Sequence, residues 1–178
     1  MGARKKVTNN VTRLLDKRKI PYTAYELPPH KLGAVETARL LGVPARRVFK
    51  TIVVVRPFGG KPILAVIPGP NRVDLKALAK AVGEKKVRLA TQREAEQLTG
   101  LQVGGISPLA LLNRGFQVWL DEEAGRFDEI HISGGQRGLN IRLRVDDLIA
   151  LCRARVAPIS RPDTEGAASH TQEDIHQE

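Results

Sequence analysis

The sequence predicts an α+β fold built on a mixed, curled sheet, and three observations point to it. Short strand-like apolar runs are interspersed with short helical stripes along the chain. Two of those runs, 51–55 and 63–67, flank a Gly-Gly turn and read as a hairpin. The regular strand–helix alternation of a doubly wound parallel sheet is absent. With 178 residues the chain suits one domain with a substantial core. Aromatic residues make up only 4%, so Val, Ile, Leu and Ala must fill the interior.

The elements follow in order from their patterns. Val11, Leu14 and Leu15 share one face of a helix over 10–19, which Ile20-Pro21 ends. A short strand over 22–27 leads into the loop Pro28-Pro29-His30. Val35, Ala38 and Leu41 form the next helical stripe, closed by Gly42 and Pro44. The hairpin turns at Phe58-Gly59-Gly60-Lys61, and Pro68-Gly69-Pro70-Asn71 breaks the pattern after it. Asp74 caps a helix that turns Leu75, Leu78, Ala79 and Val82 inward and stops at Gly83.

A brief strand over 87–90 precedes Thr91-Gln92-Arg93-Glu94, a capping box that opens a helix to about Thr99. Strands are expected near 117–120, 129–132 and 140–143, and a last helix from Asp146 or Asp147 to about Arg155. From Pro158 the chain is polar and reads as a disordered tail. The expected organisation is one domain over 1–157 and a tail over 158–178.

The net charge of +10 is unevenly placed, because residues 162–178 hold five acids and no lysine or arginine. A body of that sign attracts polyanions, nucleic acid first, and makes their binding salt-dependent. No apolar run approaches the ~20 residues of a membrane span, so a soluble, cytoplasmic protein is expected. The single cysteine, Cys152, rules out a disulfide scaffold and lies in the last helical pattern, where it reads as a small buried hydrophobe.

The sets that mark common enzymes are thin. No HExxH, CxxC or Walker sequence occurs, and neither a metal nor another cofactor is indicated. Ser107 and Ser133 have no evident His/Asp partners, and His131 reads as a packed or surface residue of a strand. Three features remain. Lys50 enters an apolar strand and could hold a phosphate or developing oxyanion, or could simply snorkel to the surface. The turn Gly104-Gly105-Ile106-Ser107-Pro108 could cradle a carbonyl oxygen with its amides, or be a plain structural turn. Ser133-Gly134-Gly135 with Arg137 could form an anion site, or a tight turn beside a solvated arginine.

In this order, Lys50-Thr51, the segment 103–109 (VGGISPL) and the segment 133–139 (SGGQRGL) resemble the YbaK/EbsC family, as do Asp74-Leu75-Lys76 and the segment 79–83 between them. The resemblance covers roughly residues 10–157. It implies a curled, mostly antiparallel sheet or barrel surrounded by helices. It also implies a free-standing aminoacyl-tRNA editing domain, similar to the insertion domain of bacterial prolyl-tRNA synthetases. The family's best-known branch hydrolyses Cys-tRNA(Pro), and such editing is needed because similar small side chains differ by too little binding energy for one site to separate.

What the resemblance implies for residues follows its motifs. Lys50, Gly104, Gly105 and Ser133 would carry the reaction, Lys50 by positioning the terminal phosphate or adenosine and the glycine backbone by lying beside the aminoacyl carbonyl. Tyr25, Leu32, Thr51, Ile106, Ser107, Pro108, Gly134, Arg137 and Asn140 would bind substrate. No protein nucleophile or metal is implied, because the thiol of a cysteinyl substrate attacks its own ester. Two positions depart from the family: Leu32-Gly33-Ala34 replaces a phenylalanine–glycine–acidic segment, and Asn140 stands where an aspartate is frequent. Both bear on amino-acid preference. The expected partners are aminoacylated tRNA, tRNA(Pro) foremost, and prolyl-tRNA synthetase. A non-catalytic tRNA- or synthetase-binding module is the alternative, and a small-molecule hydrolase or transferase a third reading.

Overall fold

The chain's architecture follows from a strand that is apolar on both faces. The structure is a computed structural model and describes residues 7–164. Strand β3 (Ile63–Pro68) is buried at every position, as a central strand must be. It pairs antiparallel with β2 (Phe49–Val55), the expected hairpin, and parallel with β6 (Gln117–Asp121). The short strands β5 (Arg88–Leu89) and β9 (Arg155–Ala157) complete a five-stranded sheet in the order β5-β2-β3-β6-β9. A three-stranded antiparallel sheet is made by β1 (Tyr22–Glu26), β8 (Leu139–Arg144) and β7 (Glu129–Ser133), in that order. The fold is α+β as predicted.

The two sheets meet through one bridge, Val48 to His131, so the start of β2 continues the smaller sheet. The surface therefore curls without closing into a barrel among the described residues. Between the sheets lies the larger core, with Phe49, Val53, Leu64 and Leu120 from one side and Ile130, Ile132, Ile141 and Leu143 from the other. Helices α1 (Asn10–Lys17), α4 (Gln92–Thr99) and α5 (Val145–Cys152) add Val11, Leu15, Ala95 and Leu148 to it. A second core behind the larger sheet packs Ile52, Val54, Ile63, Ala65 and Ile67 under helix α3 (Leu75–Val82).

Local chemistry sets the boundaries. Asn9 and Thr12 form a capping box on α1, and Thr91 and Glu94 form one on α4, each satisfying two orphan donors. Helix α2 (Ala34–Leu41) and α3 stop at the left-handed glycines Gly42 and Gly83. Helix α5 ends earlier than expected, because Arg153 takes a left-handed conformation (φ 51°) and Arg155 already belongs to β9.

The chain also stays in the fold beyond position 158, where the polar tail was expected to begin. Strand β10 (Ser160–Pro162) pairs with β4 (Asn71–Val73), and Ile159 is fully buried in the second core. The Ile159 N–H donates to Asp121 Oδ1 at 3.0 Å, and its carbonyl accepts from Asp74 N at 2.8 Å, at the start of α3. These two strands hide from sequence reading because each is three residues long and they depend on each other. The rest of the expected tail, residues 165–178, lies outside the described residues.

Ile159→Ala is expected to lower stability by about 2–5 kcal/mol, the range for truncating a buried aliphatic side chain. Urea unfolding followed by the fluorescence of Trp119, the only tryptophan and a neighbour in the same core, reads this directly. A loss under about 0.5 kcal/mol, typical of surface changes, would detach β10 from the domain.

Candidate active site

The smaller sheet turns Ile130, Ile132, Leu139, Ile141 and Leu143 into the core, so His131, Ser133, Asn140 and Arg142 face the other way. Ser133 and Asn140 are register partners at one end of that face. The bridge at Val48 brings the start of β2 beside them. A cavity of about 90 Å³ opens there, lined by Lys50 and Thr51 of β2, Ser133, Asn140, Gly104 and Ile106. Leu27, His30, Leu32 and the first turn of α2 close its remaining side. The volume is below the ~150 Å³ that holds benzene, so it suits a small side chain.

Two glycine-rich loops frame this cavity and hold each other. A Cβ on Gly105 would lie 2.8 Å from the backbone of Gln136 and Arg137, a distance at which no side chain fits. Arg137 Nε donates to Val103 O at 2.8 Å across the same contact. The first loop is tied to α4 by Val103 N, which donates to Glu96 Oε2 at 2.9 Å. The second is tied to the α1 cap, where Asn9 Nδ2 donates to Gly134 O at 2.9 Å. Gly135 adopts φ +93° and packs so closely on Val11 that a Cβ would meet its Cγ2 at 2.9 Å.

The structure thus divides the expected site residues. Lys50, Thr51, Leu32, Gly104, Ile106, Ser133 and Asn140 share the cavity wall. Gly105, Gly134 and Arg137 stand behind it as loop contacts. Ser107 is fully buried, and its Oγ accepts from Leu109 N at 3.2 Å, capping the short turn Pro108–Ala110. Tyr25 lies opposite Asn140 in the β1–β8 register and packs its ring on His131, centroids 5.5 Å apart. Cys152 is half-buried on α5, and burial pushes its thiol up to about 12, far from a reactive thiolate.

Sequence reasoning passed over two contributors. His131 is buried, with Nδ1 2.9 Å from Asn140 Oδ1. Burial above all lowers its pKa, against the opposing effect of the Asn140 contact, and keeps the ring neutral. An apolar-flanked strand histidine two residues before Ser133 was the available signal. Helix α2 is the other: its N-cap, Gly33, gives no side-chain acceptor, so first-turn amides are left as donors at the cavity edge.

The curled α+β sheet thus carries a small cavity framed by two interlocked glycine-rich loops. Residues 28–151 match the aminoacyl-tRNA editing domain, and the chain belongs to that family. It is similar to a protein of Enterococcus faecalis provisionally named a Cys-tRNA(Pro)/Cys-tRNA(Cys) deacylase, EbsC, with 38% identity over 85% of this chain and 92% of that one. A crystal structure provisionally described as a trans-editing enzyme for prolyl tRNA synthetase superposes with TM-score 0.72 and 28% identity, covering 88% of this chain and 99% of that one. The proline–tRNA ligase of Geobacter metallireducens matches 47% of this chain at 29% identity, the match being 14% of the ligase. The resemblance read from the motifs is the family found.

Gly105→Ala is expected to cost about 1–3 kcal/mol, as overpacking does, because the Gln136–Arg137 backbone must move. Chemical denaturation measures it, and a neutral result would remove the loop contact as a constraint. Cys152 should resist alkylation by iodoacetamide at pH 8 in the folded protein, since a thiol held up to about 12 is almost wholly protonated there, and should react once urea unfolds the chain. Rapid labelling of the native form would contradict its burial.

Proposed function

We propose that this chain is an aminoacyl-tRNA deacylase that edits in trans, and that Cys-tRNA(Pro) is its principal substrate. The observation that carries the reading is the small cavity walled by Lys50, Thr51, Ser133 and Asn140 beside two backbone loops. A site of that size admits a small side chain. The basic charge of the chain supplies attraction for the acceptor stem of tRNA.

The chemistry asks little of the protein. The thiol of a cysteinyl group attacks its own ester carbon, an S–C bond forms, the ester C–O bond breaks, and the thiol proton ends on the ribose oxygen that leaves. Other small aminoacyl groups would need a water in place of the thiol. Lys50 stabilises a phosphate or the developing oxyanion, and the Gly104 backbone borders the ester. Ser133 and Thr51 offer hydroxyls that orient the ester between them.

Selection of tRNA is a separate matter. Aromatic residues are too scarce to support base reading by stacking. Phosphate contacts hold any acceptor stem, so prolyl-tRNA synthetase as partner would supply the choice of tRNA(Pro). Its working compartment would be the cytoplasm, and among the described residues no helix is long and apolar enough to cross a membrane.

Lys50→Ala is expected to lower deacylation of Cys-tRNA(Pro) by about 10²–10³-fold in kcat, as loss of one oxyanion donor does, with the fold intact. Full activity would take Lys50 out of the mechanism. Wild-type protein that binds mischarged tRNA yet releases no amino acid or thiolactone would be a binding module instead. Raising salt from about 50 to 200 mM should weaken tRNA binding by at least about tenfold, and a flat response would assign the charge to another partner.

A further inference from the structure

The outer face of the smaller sheet continues from the cavity into a row that carries charge. Ser133 and Asn140 form the cavity row. The next row, two residues along each strand or about 7 Å away, pairs His131 with Arg142. Arg47 reaches the same place from the other side, since it precedes Val48, the bridge partner of His131. Each guanidinium lies over an aromatic ring, Arg47 over Phe127 at 5.3 Å and Arg142 over Tyr25 at 5.8 Å. His131 is buried between them, its pKa lowered by burial first and then by the charges of Arg142 and Arg47.

Neither arginine is fully engaged. The Nε of each is sealed from solvent and has no hydrogen-bond partner among the described residues. Arg47 forms no ion pair among those residues. Arg142 donates from Nη2 to Thr23 Oγ1 at 3.2 Å. Glu129 Oε2 lies 3.4 Å from Arg142 Nε, an exposed pair of the kind that contributes little in water. The aromatic rings hold both guanidinium groups in place, and their remaining Nη donors match the oxygens of a phosphate.

Beyond the sealed His131 the row opens to solvent, with the Arg142 side chain 39% exposed. In an aminoacylated RNA, the part that adjoins the ester is the sugar–phosphate backbone of the 3′ end, charged at every nucleotide. We infer that Arg47 and Arg142 form a clamp for the backbone phosphates next to that aminoacylated end. Charge on the outer row holds the RNA while the cavity receives the ester. This rests on reading the cavity as the aminoacyl site. Lys85 and Lys86, exposed ahead of β5 at the far end of β2, add only to the general field.

The test measures binding of the full chain, over a range of salt, to a non-acylated acceptor-stem RNA hairpin that keeps its single-stranded 3′ overhang. Arg47→Gln and Arg142→Gln are each expected to weaken binding about tenfold and to reduce the salt slope by about 0.7, the value for one phosphate on a single strand. Arg47→Lys and Arg142→Lys keep the charge and should keep the slope, which separates a phosphate contact from lost packing on Phe127 or Tyr25. The double variant Lys85→Gln, Lys86→Gln removes as much charge as both clamp variants together and should change affinity less than about twofold. On a blunt hairpin the two Gln variants should bind as wild type does. Unchanged affinity and slope in both Gln variants, an equal loss in the lysine double variant, an equal loss on the blunt hairpin, or no binding by wild type overturns the clamp. Deacylation of Cys-tRNA(Pro) is assayed in parallel, where the Gln variants should raise KM and leave kcat. A clamp without deacylation removes the deacylase reading alone, and deacylation with KM unmoved in both variants removes the clamp alone.

Discussion

The contact between the two glycine-rich loops is the constraint on which the site depends. Gly105 lies against the backbone of Gln136 and Arg137, and Arg137 closes the contact through the Val103 carbonyl. Each loop is separately tied to a helix, one through Glu96 and the other through Asn9. The wall of the cavity is therefore cross-braced by one close backbone contact and by three side-chain hydrogen bonds to main-chain groups. A site built to position an ester needs its backbone donors fixed before the substrate arrives.

Arg137 ties the two loops together through its Nε, leaving its Nη donors outside that contact. Its Nε is spent on a carbonyl, and the residue stands behind the wall. Among the residues that line the cavity, Lys50 is the cation, and the first turn of α2 borders it with backbone amides. Leu32 and Asn140, read from the sequence as departures from the family's motifs, both lie on the wall. The substitutions thus sit where they can alter what is admitted, and the loop contact that supports the site lies apart from them.

Much of the fold was legible because its signals are local. Capping boxes at Asn9 and Thr91, the left-handed glycines after α2 and α3, and the apolar hairpin all act within a few residues. The β4–β10 ribbon was not legible, since neither three-residue strand has a pattern of its own and each exists only by pairing with the other. Of the candidate site, the motifs found the loops and Lys50, but could not tell wall from support. Ser107 and Arg137 resemble Ser133 and Lys50 in chemistry, and only the third dimension shows that the first two face inward on the protein. His131 was legible as a packed strand residue, but not its contact with Asn140, a partner nine residues away on the next strand.

Strand β2 carries Lys50 and Thr51, supplies the hairpin partner of the central strand, and leads in through Val48 to the smaller sheet. Displacing it would shear both cores at once. The aperture on that side is thus as stiff as the fold itself. Any retuning of the size limit, by natural drift or by design, has its cheapest path through the opposite rim, the segment 27–33 that precedes α2. There a change such as one at Leu32 alters the opening without disturbing a ladder of main-chain bonds.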